Sequence, residues 1–158
     1  MNNEAKNITF AELYPLICDE IGRGNDFSFT AFGSSMFPFI IGGKDRVKLS
    51  KLSRPIQKYD MLFYRRENGS FVLHRVIKIQ ENGDFTLCGD NQYNPERDVK
   101  QEQVIAILTG LEHKGRRVNI ESFHSMLWCF LLPVRRFILH LKASGKAILR
   151  QLTDTRQS

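Results

Sequence analysis

No apolar stretch in this 158-residue chain is long. The richest, Met126 to Val134, covers nine positions before Arg135 and Arg136 end it. A bilayer span takes about 20 such residues, so no crossing segment is read there. Cysteine is scarce: Cys18, Cys88 and Cys129 form an odd set with no close pair. That spacing argues against a disulfide framework or a zinc site and fits a reducing compartment, with each thiol acting as a small buried apolar group. The first residues, Met1-Asn2-Asn3-Glu4-Ala5-Lys6-Asn7, are polar and lead into no unbroken apolar run. A cleavable signal peptide is therefore not expected. Internal repeats and low-complexity tracts are absent as well. The expected location is cytoplasmic, with peripheral contact at the inner membrane face left open, and neither a cofactor nor a metal is expected.

What the chain does hold is an ordinary globular composition, 42% hydrophobic and 25% charged, with a generous twelve phenylalanines. Such a length suits one domain with extensions. The net charge of +6 is unevenly placed: residues 126–158 hold Arg135, Arg136, Lys142, Lys146, Arg150 and Arg156 against Asp154 alone. The part before them is close to neutral, so a nucleic-acid surface is not indicated. A basic tail of this kind suits an anionic membrane surface, an acidic partner or plain solvation.

Periodicity divides the chain into three parts. Residues 1–25 form an N-terminal helical extension, with a helix predicted over 9–21 from Leu13, Leu16, Ile17 and Ile21 and a capping box from Thr9 and Glu12. Residues 26–120 carry short β-type runs at 27–32, 46–49, 61–65, 71–79, 85–87 and 104–112. Asn68-Gly69 and Asn82-Gly83 are hairpin signals between them. These describe a mainly β domain of coiled antiparallel sheet. Residues 121–158 form a basic amphipathic helical tail, in which Leu127, Leu131, Val134, Ile138, Leu141, Gly145, Ile148 and Leu152 step by four and three. Pro133 is expected to kink that helix or to open a second one.

The chemistry-bearing residues lie in the β part. Ser35 sits in Gly33-Ser34-Ser35-Met36-Phe37-Pro38, just past the first run. A serine hydroxyl needs an adjacent base to attack an amide, and His74 is the residue suited to that work at neutral pH. Alternation along 71–79 puts His74 on one face with Val72 and Val76. An orienting carboxylate could come from Asp90, in Gly89-Asp90-Asn91, or from Asp98, beyond the Pro95 loop. The backbone N–H groups of Ser34 and Ser35 are candidates for an oxyanion hole. Gly33 would let a substrate backbone approach, while Met36, Phe37 and Pro38 could wall a side-chain pocket. The first run could be an edge to which an extended substrate adds.

At these residues the chain resembles the superfamily that joins type I signal peptidases to the LexA-type autoproteases. Its Gly-x-Ser-Met-x-Pro box is met as Gly33 to Pro38, and its next shared element looks like Tyr59-Asp60-Met61-Leu62-Phe63-Tyr64. The place of the usual lysine base reads Leu73-His74-Arg75-Val76, similar to the endoplasmic-reticulum and spore-former branch, which uses Ser-His. Gly89-Asp90-Asn91 with Asp98 looks like that branch's acid segment. The resemblance covers about residues 27–112. It implies a coiled β-sheet catalytic domain and cleavage of precursor peptides after small residues, with the later aspartate, Asp98, completing the triad.

The expected function is thus a serine endopeptidase that trims leader or signal segments from precursor peptides. Two alternatives stand beside it: a membrane-associated signal peptidase anchored by the basic helix, and a peptide-binding pseudoenzyme. The expected partners are a precursor peptide and, through residues 126–152, a membrane surface or a helical partner.

Overall fold

The structure is a computed structural model that describes residues 10–120 and 123–154, and within these the side chains of 13–120 and 127–146. The Thr9–Glu12 capping box and the side chains of Ile148 and Leu152 lie outside what is described. Two helices flank eight strands: α1 Phe10–Gly22, β1 Phe27–Thr30, β2 Arg46–Ser50, β3 Met61–Arg65, β4 Phe71–Ile79, β5 Phe85–Cys88, β6 Glu96–Val99, β7 Val104–His113, β8 Arg116–Val118 and α2 Phe123–Asp154. The strands form one antiparallel sheet in the order β1-β2-β7-β3-β4-β5-β6, with β8 paired to β7.

The chain is mainly β, as its alternation predicts. The two expected hairpins close at Gly69 and Gly83, both at positive φ, where glycine carries no Cβ penalty. The central strand β3 is buried on both sides, which is why Met61-Leu62-Phe63-Tyr64 reads as an unbroken apolar run. Met61 and Phe63 join Ile17, Ile21, Met36, Val47, Leu49 and Leu108 in one core, with α1 packed over it. Leu62 and Tyr64 join Val76, Phe85, Leu87, Val99 and Ile107 in a second core. His74 pairs across β3 with Leu62 and so belongs to this second face.

Both extensions pack on the sheet. Ile17 is fully buried under α1, and Leu132 and Cys129 are buried under α2. Pro133 does not divide the C-terminal region: α2 runs unbroken through it, and its side chain is exposed. No helix among the described residues is long and apolar enough to cross a membrane.

Candidate active site

The segment carrying Ser35 is a turn that leaves β1 and is folded back against the start of β2. Gly33 takes φ +74°, in the region an L-residue disfavours. Gly42 packs so closely that a Cβ there would lie 2.0 Å from the Gly33 carbonyl oxygen. Asp45 closes the return: its carboxylate accepts from the Ile41 N–H at 2.8 Å and pairs with His113 Nδ1 at 2.6 Å. Its carbonyl accepts from Ala31 N–H at 2.9 Å. The loop that carries Ser35 is thereby fixed at both ends.

Its middle is seated on the loop after β5. The Asn91 N–H donates to the Ser35 carbonyl at 2.7 Å. A Cβ on Gly89 would stand 2.6 Å from that same oxygen, so only glycine allows the approach. Arg75 is registered opposite Cys88. The antiparallel ladder ends at that pair, and Gly89 follows Cys88 directly in the chain. Ser35 is thus held on the loop that follows the strand paired with β4.

Substituting Gly89 with alanine pushes the Ser35 backbone away, because the clash is with main chain. Displacements near 1 Å at a reacting group can cost on the order of 10²-fold in rate. On the expectation that Ser35 is a nucleophile, Gly89→Ala should lower kcat by that order while the β-sheet circular-dichroism signal is kept. An unimpaired rate would mean that this seat does not position the hydroxyl.

His74 is wholly buried. Tyr64 Oη lies 3.2 Å and Glu96 Oε1 lies 3.1 Å from its Nδ1. Arg66 caps the same carboxylate through Nε at 2.8 Å and through a second, shorter contact from its terminal nitrogen. Burial pushes the Glu96 carboxyl upward, but hydrogen bonds from Arg66 and Tyr64 and the nearby imidazole outweigh it and hold Glu96 below the usual range. Burial likewise pushes His74 down, to about 4, against the attraction of Glu96. Since ionised Glu96 can only accept, a neutral ring carries its proton on Nδ1. Nε2 then offers a lone pair, and it is buried with no hydrogen-bond partner. No hydrogen bond joins it to Ser35.

The expected acids occupy other positions. Asp98, at φ +58°, turns its carboxylate to Gln80 Nε2 at 2.9 Å on the outer edge of β6 and does not reach His74. Asp90 is fully buried, but both its oxygens are committed: Arg75 donates to them at 2.9 and 2.8 Å, and Trp128 Nε1 at 3.0 Å. Glu96 is the carboxylate at the imidazole. It pairs across β5 with Leu87, which is itself opposite Val76, so the pleat turns Glu96 to the face that carries His74. Alternation could not have signalled it: Glu96 and the buried Val99 are three residues apart, and a register shift in β6 brings both to one face.

A cleft of about 600 Å³ opens beside the turn, lined by Gly33, Ser34, Ser35 and Met36, by Phe29 and Phe63, and by Asn91 and Gln92. Val72 and Leu73, next to His74, also line it. Among the described residues, no hydrogen bond uses the N–H of Ser34 or Ser35. Of the four residues expected to contact substrate, Gly33 and Met36 are in the wall. Phe37 and Pro38 are exposed outside it, because the turn carries them past the cleft toward α2. There Arg135 bonds the Asp90 carbonyl at 3.0 Å and Asn91 Oδ1 at 2.9 Å, and reaches the Phe37 carbonyl at 3.5 Å. Among the described residues no group of three or more His, Cys, Asp or Glu side chains could hold a metal ion.

No known family model matches the chain, and neither does any curated protein.

Proposed function

We propose that this chain is a serine endopeptidase that removes leader or signal segments from precursor peptides, with Ser35 as nucleophile, His74 as base and Glu96 as the carboxylate that orients it. The observation that carries this reading is the unpartnered Nε2 of a buried imidazole whose other nitrogen is held, on the strand neighbouring the Ser35 seat. Burying an acceptor without a partner costs about 1–3 kcal/mol, a cost that a catalytic base recovers when a hydroxyl proton arrives.

In the reaction, Ser35 Oγ attacks the scissile carbonyl while its proton passes to His74 Nε2. The Ser34 and Ser35 N–H groups receive the oxyanion. As the tetrahedral species collapses, Nε2 returns the proton to the leaving amine, and the acyl group stays on Oγ. Water, deprotonated by the same nitrogen, then releases it as the acid. Among the described residues β1 lies at the end of the sheet and pairs only with β2, so an extended peptide can add along it with its side chains entering the apolar cleft. Free Cys18, Cys88 and Cys129 accord with trimming on the cytoplasmic side.

One feature favours a second reading, a peptide-binding pseudoenzyme: His74 is fully covered and not bonded to Ser35. Capture with the Ser35→Ala chain decides between them. The bound precursor is identified by mass spectrometry and then incubated with the unaltered protein. A peptidase returns two fragments with one new N-terminus; recovery of intact precursor from both proteins supports the binding module instead.

The pH profile is a further check. Ordinary imidazole would set the acid limb of activity near 6–7. Burial moves His74 to about 4, so kcat/KM should stay level from pH 7 to pH 5 and fall only near 4. Stability follows the same group. The folded value lies below the unfolded 6.5, so the unfolded chain takes up the proton first. Stability is full above pH 6.5 and falls by up to about 3 kcal/mol toward pH 4. Denaturant titrations of the unaltered chain and of His74→Gln, which removes that slope, measure it.

A further inference from the structure

We propose that the outer face of α2 lies on an anionic lipid surface and holds the cleft beside it. This does not depend on the peptidase reading. Leu127, Phe130, Leu131, Val134, Phe137, Ile138 and Leu141 are all exposed, with Phe130 at 67% and Phe137 at 63%. At 3.6 residues per turn they form one stripe a little over 100° wide, centred opposite Trp128, Cys129, Leu132 and Arg135, which face the domain. The helix is therefore apolar outward and docked inward.

Charge selects the occupant. No acidic residue occurs from Phe123 to Thr153, while Arg135 and Lys142 border one edge of the stripe, and Lys146 and Arg150 continue the basic series in sequence. An apolar face with a basic edge and no carboxylate along the helix is the pattern of a helix lying in the headgroup region of an anionic bilayer. A second copy of the chain is a poorer fit. The seam Leu127-Leu131-Val134-Ile138-Leu141 has heptad spacing, but its flanks are Arg135 and Lys142 on one side and Phe130 and Phe137 on the other. Two such helices bring cations together with no carboxylate to meet them. The stripe is also wider than a two-residue seam needs. On the inner side, Trp128 and Arg135 bond the Asp90–Asn91 loop, so a docked helix sets the cleft at a fixed height above the lipid.

Flotation of the full chain with vesicles of phosphatidylcholine, with and without about one third phosphatidylglycerol, tests the proposal. The chain should float with the anionic vesicles and not with the neutral ones, and should be released between ~0.1 M and ~0.5 M salt. Phe130→Glu with Phe137→Glu, both at exposed positions, should weaken binding by about tenfold or more while leaving the circular-dichroism spectrum unchanged. Lys142→Glu with Lys146→Glu should remove the preference for anionic vesicles. The proposal is overturned by failure to float, by equal binding to neutral vesicles, or by unchanged binding of the phenylalanine variant. It is equally overturned if sedimentation finds a dimer that the phenylalanine substitutions dissociate, which would make a second copy the occupant.

Discussion

Ser35→Ala and His74→Ala should each reduce cleavage of a cognate precursor by on the order of 10⁴-fold or more, and the double substitution should cost little beyond either alone. In the proposed mechanism, hydroxyl and imidazole act as one unit. Without the base the hydroxyl keeps its proton, and without the hydroxyl the base has only water to activate. Single-turnover assays followed by mass spectrometry measure all three variants. Glu96 separates this geometry from the pattern expected of the resembling families. Glu96→Gln keeps shape but removes the charge that places the proton on Nδ1, so a loss of roughly 10²- to 10⁴-fold is expected. Asp98→Ala should leave the rate unchanged, since its partner is Gln80 on the rim. Retained activity in Ser35→Ala or His74→Ala would end the proposed mechanism, and a large loss in Asp98→Ala would return the acid's role to that position.

Asp90→Ala should destabilise the chain by about 3–5 kcal/mol, the cost of stripping one partner from a buried ion pair. Arg75 is 2% exposed and Asp90 0%. The guanidinium's remaining contacts are the Tyr59 carbonyl at 3.2 Å, the Cys129 thiol at 3.7 Å and the face of Phe39, none of which neutralises it. Removing both charges with apolar residues of similar volume, Arg75→Met with Asp90→Leu, should recover most of the loss, as dry replacements of buried pairs often do. Chemical denaturation of the single and double variants gives the coupling directly. A near-neutral Asp90→Ala would mean that water reaches Arg75 and that the pair carries little stability.

The extent to which this arrangement was legible in sequence depended on the kind of signal each residue left. Strands with buried faces announce themselves by alternation or, like β3, by an unbroken apolar run, so β3, β4 and β7 are legible to within a residue or so. Edge strands have no such pattern. β6 and β8 are Glu96-Arg97-Asp98-Val99 and Arg116-Arg117-Val118, and neither is among the predicted runs, although backbone pairing makes them strands. Glu96 was missed with its strand. Asp90 was noticed for its charge, but its partner on the neighbouring strand, Arg75, is separated from it by fifteen residues, and no local rule joins them. Pro133 looked like a break because its missing N–H removes one helical bond; at an exposed position in a helix seated by Cys129 and Leu132, packing outweighs that loss.

The Arg135 guanidinium touches the Phe37 carbonyl, the Asp90 carbonyl and Asn91 Oδ1 at once. A shortened protein ending near residue 120 would therefore lose contacts of the Ser35 loop along with the helix. It would uncover the Arg75–Asp90 pair, free the ledge under Ser35, and mix any defect in targeting with a defect in chemistry. Surface point changes on the far side of the helix keep the two apart.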